Sequence, residues 1–232
     1  MESTEKRSDQ RQDLVYLVIG ILVFGSIWGF LEATLGGFFN MIIFPNKGAI
    51  MGGIGVAIMG TALAIYRKPS MLPAIGVVAA SFKLLNVWIF VPVSYVHIIN
   101  PAMAIILESV AFGVVAVFLT DKITKNSLVG AGTGALVGFT TAIAYVYFAL
   151  YVTNSPLLVR MGVSGTGEFI MNHGVVQAAF YGMLLPLGCL VGEKLRTRNF
   201  LVTMRRPLYY ALSAAVVCLC WGISTTAIMA GL

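Results

Sequence analysis

Three ionisable side chains stand inside long apolar stretches of this 232-residue chain: Glu32, Lys83 and Glu108. An ionisable group within a membrane helix costs roughly 2.5–3.5 kcal/mol on insertion scales, which makes each a functional candidate by default. Lys83 lies about 18 Å into the stretch 71–95 at 1.5 Å per residue, and Glu108 about 13 Å into the stretch 99–120 from the opposite face. In a ~30 Å hydrocarbon core those depths nearly coincide. A short turn joins the two stretches as antiparallel neighbours, so a Lys83–Glu108 ion pair is expected, either as part of a binding site or as a charge-neutral lock on the bundle. Glu32 falls about 27 Å along the first stretch, near the outer boundary. It either reaches water there or lines an outward-facing cavity, and Asn40 with the segment FPNKG (Phe44–Gly48) close behind it favours the cavity.

Other polar groups gather towards the same side. Asn46 and Lys47 fall in the first outer loop, Asn86 one turn above Lys83, and Tyr95, His97 and Asn100 at the second loop. The third loop, 154–170, carries Asn154, Arg160 and Glu168, and Asn172, His173 and Gln177 open the stretch that follows. A mainly apolar cavity with a few directed polar groups is the expected site. Its substrate-binding set is Glu32, Asn46, Lys47, Lys83, Asn86, His97, Glu108, His173 and Gln177. The histidines and carboxylates match no local metal-ligand spacing, so no metal site and no cofactor are expected. There is no H-E-x-x-H pair, no G-x-S-x-G elbow and no G-x-x-x-x-G-K-[ST] loop. Glu168 with His173 has no geometric warrant as an acid–base pair. The chain is therefore not expected to be an enzyme, and any ATP hydrolysis has to come from a partner. Cys189, Cys218 and Cys220 lie within apolar stretches and are expected to pack rather than pair.

The elements that must position these residues follow from composition. Apolar residues make up 59% of the chain and charged residues 10%, against about 25% charged in a soluble domain. Seven stretches, 14–37, 48–66, 71–95, 99–120, 126–153, 171–192 and 208–230, are each long enough to cross a bilayer as a helix. The expected fold is an all-α polytopic membrane protein, and nucleic-acid binding is excluded despite the net charge of +6. The basic residues mark topology instead. Lys6, Arg7 and Arg11, then Arg67 and Lys68, then Lys122 and Lys125, then Lys194, Arg196, Arg198, Arg205 and Arg206 all fall on one side. Only Lys47 and Arg160 fall on the other, which places the N-terminus inside and the C-terminus outside a prokaryotic plasma membrane. Residues 1–13 read as a disordered cytoplasmic tail. The first apolar run is too long for a signal-peptide core and lacks an A-x-A site, so it is expected to be retained. Residues 193–207 read as a basic cytoplasmic loop. Small residues recur every four positions at Gly25, Gly29 and Ala33, at Gly130, Gly134, Gly138 and Ala142, and at Gly174, Ala178 and Gly182. Such stripes serve close helix packing, inside the bundle or against a separate subunit.

Two segments, FPNKGAIMGGIGVAIMGTALAIYRKP (Phe44–Pro69) and NPAMAIILESVAFGVV (Asn100–Val115), resemble the substrate-binding S components of energy-coupling factor (ECF) transporters. The first is similar to that family's outer loop, Gly-rich second span and basic inner turn. The second is similar to its proline-led span with a mid-helix Glu, here Pro101 and Glu108. The resemblance covers roughly residues 14–192 and implies a six-helix bundle that binds a vitamin-like molecule or metal ion from outside. It further implies association with a transmembrane coupling subunit and cytoplasmic ATPases, with Gly25, Gly29 and Ala33 exposed for docking. The stretch 208–230 adds a seventh span that the family lacks. The alternative is a structural anchor within a larger membrane complex. A secondary transporter comes third, because its inverted repeats are not evident here.

Overall fold

The computed structural model of the chain describes residues 2–42, 44, 46–88, 95–198 and 205–231. It is all helix, with no strand among the described residues. In chain order the elements are α1 (Glu2–Met41), α2 (Lys47–Tyr66), α3 (Met71–Ser81), a 3₁₀ turn (Phe82–Leu84), α4 (Leu85–Trp88), α5 (Tyr95–Lys125) and α6 (Ser127–Tyr151). Then come α7 (Leu157–Met161), α8 (Thr166–Phe169), a π-helical turn (Ile170–Gly174), α9 (Val175–Thr197) and α10 (Arg206–Met229). Among the described residues, six helices are long and apolar enough to cross a membrane. This is the architecture of an all-α, multi-pass membrane protein.

Three expected boundaries change. The span expected at 71–95 is a shorter apolar helix, Met71–Leu84, whose last turn tightens to 3₁₀ before α4 continues to Trp88. The Ser81 hydroxyl donates back to the Val78 carbonyl at 2.5 Å, a local bond that competes with the helical ladder at this point. Residues 2–13, expected to be a disordered tail, are instead the opening turns of α1. They contain Glu, Lys, Arg and Gln without Gly or Pro, so they extend a helix that residues 14–41 have already nucleated. Gln12 is held there by the Arg206 guanidinium at 3.0 Å. Within the basic loop expected at 193–207, residues 193–197 belong to α9, which runs on to Thr197, and residues 206–207 to α10, which starts at Arg206.

The small-residue stripes are the packing code of the bundle. α2 sits at the centre: Gly52 faces Tyr181, Gly53 faces Leu184, Gly55 faces the Trp28 indole and Gly60 faces Leu185. A Cβ at Gly188 or Gly192 of α9 would overlap the backbone of Ala57 or Thr61, so α2 and α9 touch main chain to main chain. The Thr61 hydroxyl, 2.9 Å from both the Ala57 and Gly188 carbonyls, spans that contact. Gly134 and Gly138 of α6 lie on the backbone of Tyr181, Gly182, Gln177 and Ala178 in the same way. Lipid tails are as apolar as the core, so helix association rests on this close approach rather than on expulsion of water.

The docking role expected for Gly25, Gly29 and Ala33 is corrected here. α1 and α3 run parallel, and Gly25 is covered by Ile75 and Val78 while Gly29 is covered by Phe82. Ala33 is 7% exposed. The stripe is therefore spent inside the bundle. α10 takes a neighbouring face of α1: the Trp221 indole N–H donates to Ser26 Oγ at 3.3 Å and its ring lies 4.2 Å from that of Phe82. These alternating helices define two ends, one where α1 stops and α2 starts at Asn46, the other where α2 stops at Arg67.

Candidate functional site

The first polar group of the site joins α1 to the 3₁₀ turn. Lys83 Nζ lies 3.3 Å from Glu32 Oε2 and donates to the Glu32 carbonyl oxygen at 2.9 Å. The expected Lys83–Glu108 pair is thus replaced by Lys83–Glu32. The cause is the parallel packing of α1 on α3: with Gly25 and Gly29 admitting Val78 and Phe82, the next turn of α1 brings Glu32 onto Lys83. α1 continues for nine residues beyond Glu32, to Met41. Both side chains are largely buried, 15% exposed for Lys83 and 11% for Glu32.

Glu108 belongs to a second polar chain. Gln177 Nε2 donates to the Tyr181 hydroxyl at 2.7 Å, and that hydroxyl hydrogen-bonds to the Glu108 carboxyl. Gln177 and Tyr181 are one turn apart on the same face of α9. Tyr181 is fully buried and Glu108 is 5% exposed. Gly52 makes the arrangement possible, since a Cβ there would overlap the Tyr181 hydroxyl and lie 2.6 Å from Glu108 Oε1. Glu32 is near enough for its charge to act on both Glu108 and Tyr181, so the two polar groups form one cluster. Among the described residues none donates a hydrogen bond to the buried Glu108 Oε2. A buried acceptor left in that state costs about 1–3 kcal/mol, and more for a charged group.

The other expected residues divide. Lys47 opens α2 exposed, with its charge reaching that of Lys83. Asn46 precedes it in the left-handed conformation (φ 54°), exposed, its carbonyl accepting from the Ala49 amide at 2.9 Å. His173 sits on the π-helical turn, half-buried, its ring 4.8 Å from that of Phe169. π-helical turns recur at functional sites, and the ring contact of this histidine is with Phe169. The side chains of Asn86 and His97 lie outside the described residues. Asn100 is structural: its amide donates to Ser155 Oγ at 3.2 Å and its carbonyl accepts from Thr153 Oγ1 at 3.1 Å, tying α5 to the 152–156 connection. Among the described residues no three His, Cys, Asp or Glu side chains gather as a metal site.

No family model, curated protein or solved structure matches the chain. The functional reading therefore rests on the residues themselves. Tyr181 and Gly52 are the members that sequence reasoning missed. The signal for Tyr181 was its place one turn beyond Gln177, and Gly52 was hidden among the other glycines of α2.

A different polar group closes the opposite end. Arg67, in the left-handed conformation (φ 54°) at the end of α2, donates to Asp121 at 3.2 Å and to Thr124 and Glu193. Arg196 adds a contact to Glu193 at 3.1 Å, and Lys125 one to Asp121 at 3.8 Å. One guanidinium thus joins the ends of α2, α5 and α9. Its planar set of five donors suits that task better than an ammonium would.

Proposed function

We propose that the chain is the substrate-binding membrane subunit of an uptake system for a micronutrient, energised by separate ATPase subunits. The observation that carries this reading is the open, buried Glu108 oxygen at the end of the Gln177–Tyr181 chain, beside the Glu32–Lys83 pair. Among the described residues the other buried polar side-chain atoms without a partner are two hydroxyls, the Trp28 indole nitrogen and Arg67 Nε, and Glu108 Oε2 is the one carboxyl oxygen, the group that is most costly to bury unmatched. The basic residues at 67–68, 122–125 and 194–206 mark the Arg67 end as cytoplasmic, so the site lies towards the outside, where an uptake protein meets its cargo. The resemblance to ECF S components supplies the coupling subunit and the ATPases as partners. With Gly25 covered by α3, Gly29 by Phe82 of the 3₁₀ turn and Ala33 buried, docking falls on another surface than that family's.

Transport of this kind requires the ligand to bind one conformation more tightly than the other. Native mass spectrometry of the tagged chain, extracted gently from its own membrane, tests the proposal. Co-migration with a coupling subunit and ATPases, or a bound small molecule, is the expected result. Stable attachment to other integral subunits with no ligand mass would replace it with the structural-anchor reading.

A further inference from the structure

The cluster around Glu108 also carries a charge sign, and with it a class of ligand. Among the described residues it buries two carboxylates, Glu32 and Glu108, and one ammonium, Lys83. That ammonium is on Glu32, held by both the carboxylate and the carbonyl oxygen. The donors beside Glu108 are likewise directed. Gln177 gives its amide to Tyr181, and the single hydroxyl proton of Tyr181 goes to the Glu108 carboxyl. Oε2 is left as a buried acceptor with no donor. Among the described residues the buried cluster is one hydrogen-bond donor short at Oε2, and with Glu108 ionised it is also one positive charge short, the Lys47 ammonium standing exposed on the Lys83 side.

An anion entering here would meet two carboxylates and no uncommitted donor of the Gln177–Tyr181 chain. A metal ion would need several more oxygen or nitrogen ligands than one open carboxylate oxygen supplies, and no such group gathers among the described residues. A protonated amine or an amidinium meets both needs at once, because its N–H is charged and directional. We propose that the ligand of this site is an organic cation whose N–H group docks on Glu108 Oε2, with Tyr181 and Gln177 holding the carboxyl in place. The inference rests on the substrate-binding reading above and deepens it.

The test uses the full chain in lipid nanodiscs and three probes of one shape: benzylammonium, benzyl alcohol and benzoate. Benzylammonium is expected to raise Tm by about 2–4 °C at saturation, and the other two by less than a quarter of that. Glu108→Gln abolishes the benzylammonium response. Tyr181→Phe, which removes the hydroxyl that holds the carboxyl, weakens it, and Gly132→Ala, whose added Cβ meets nothing within 4 Å, leaves it unchanged, so that a graded loss guards against a Glu108→Gln variant that fails to fold. Stabilisation by benzoate, equal stabilisation by all three, or no response to any overturns the cation inference. Native mass spectra of the same preparation separate the two readings. A bound neutral or anionic molecule would keep the uptake proposal and remove this one, whereas no bound molecule and no probe response would remove both.

Discussion

The two ends of the bundle both concentrate charge, and they use it in opposite ways. At the Arg67 end one guanidinium meets Asp121, Thr124 and Glu193, and Arg196 and Lys125 add further cations to the same two carboxylates. Acceptors there are outnumbered by donors, and the surplus cations stand at the exposed rim. Near the Asn46 end, among the described residues, Glu32 and Glu108 are both buried, Lys83 is on Glu32, and one oxygen of the Glu108 carboxyl is left open. The Arg67 group also leaves one buried atom unmatched, its donor Nε, but both of its carboxylates are paired. The Glu108 carboxyl is held by Tyr181 and Gln177 with one oxygen unmatched among the described residues, the arrangement that the proposed ligand would complete.

The largest effect is expected from breaking the lock. Arg67→Met leaves Glu193 with the Arg196 contact but without Arg67 and removes the group that joins α2, α5 and α9. A loss of about 2–4 kcal/mol is expected, read as a fall in the thermal or denaturant midpoint in detergent. Lys83→Met comes next, at about 2–3 kcal/mol, because it leaves Glu32 buried without its counter-charge. Adding Glu32→Gln should recover about half or more of that loss, and a double-mutant cycle measures the coupling. No recovery would mean that Lys83 supports the 3₁₀ turn by packing alone.

Gly52→Ala sharpens the comparison without removing a polar atom. Its methyl group would overlap the Tyr181 hydroxyl and crowd Glu108, so the Gln177–Tyr181–Glu108 chain has to shift. Overpacking of this kind costs about 1–3 kcal/mol, and ligand response should fall at least as sharply as stability. The matched control is Gly132→Ala, where a Cβ meets nothing within 4 Å and where helix propensity favours alanine by up to about 1 kcal/mol.

Much of this frame was legible in the chain itself. Apolar runs located the long helices to within a few residues, and the four-residue repeats of Gly and Ala marked the faces that pack. Glu32, Lys83 and Glu108 stood out because charge inside apolar sequence is rare. The pairing was not legible. Depth arithmetic along single helices matched Lys83 to Glu108, since it carried no information on which helix faces which. Glu32 wins because α1 lies parallel to α3 over Gly25 and Gly29, a contact between residues 51 positions apart. The Arg67 lock was missed for a related reason: a basic residue after a span reads as a topology marker, and nothing local shows that Asp121 and Glu193 converge on it. Residues 2–13 misled through their polarity, which describes their solvation and not their backbone.

The most direct test sets two glutamates against each other, Glu193→Gln in the lock and Glu108→Gln in the open cluster, each measured by thermal unfolding of the full chain in the same lipid. Glu193→Gln should lower stability by about 1–3 kcal/mol through loss of its charged partners. Glu108→Gln should leave stability within about 0.5 kcal/mol of the parent or raise it, because it removes a buried carboxylate whose second oxygen has no partner. Equal losses from the two substitutions would show that Glu108 is as fully partnered as Glu193, and would contradict the distinction between a lock and a site.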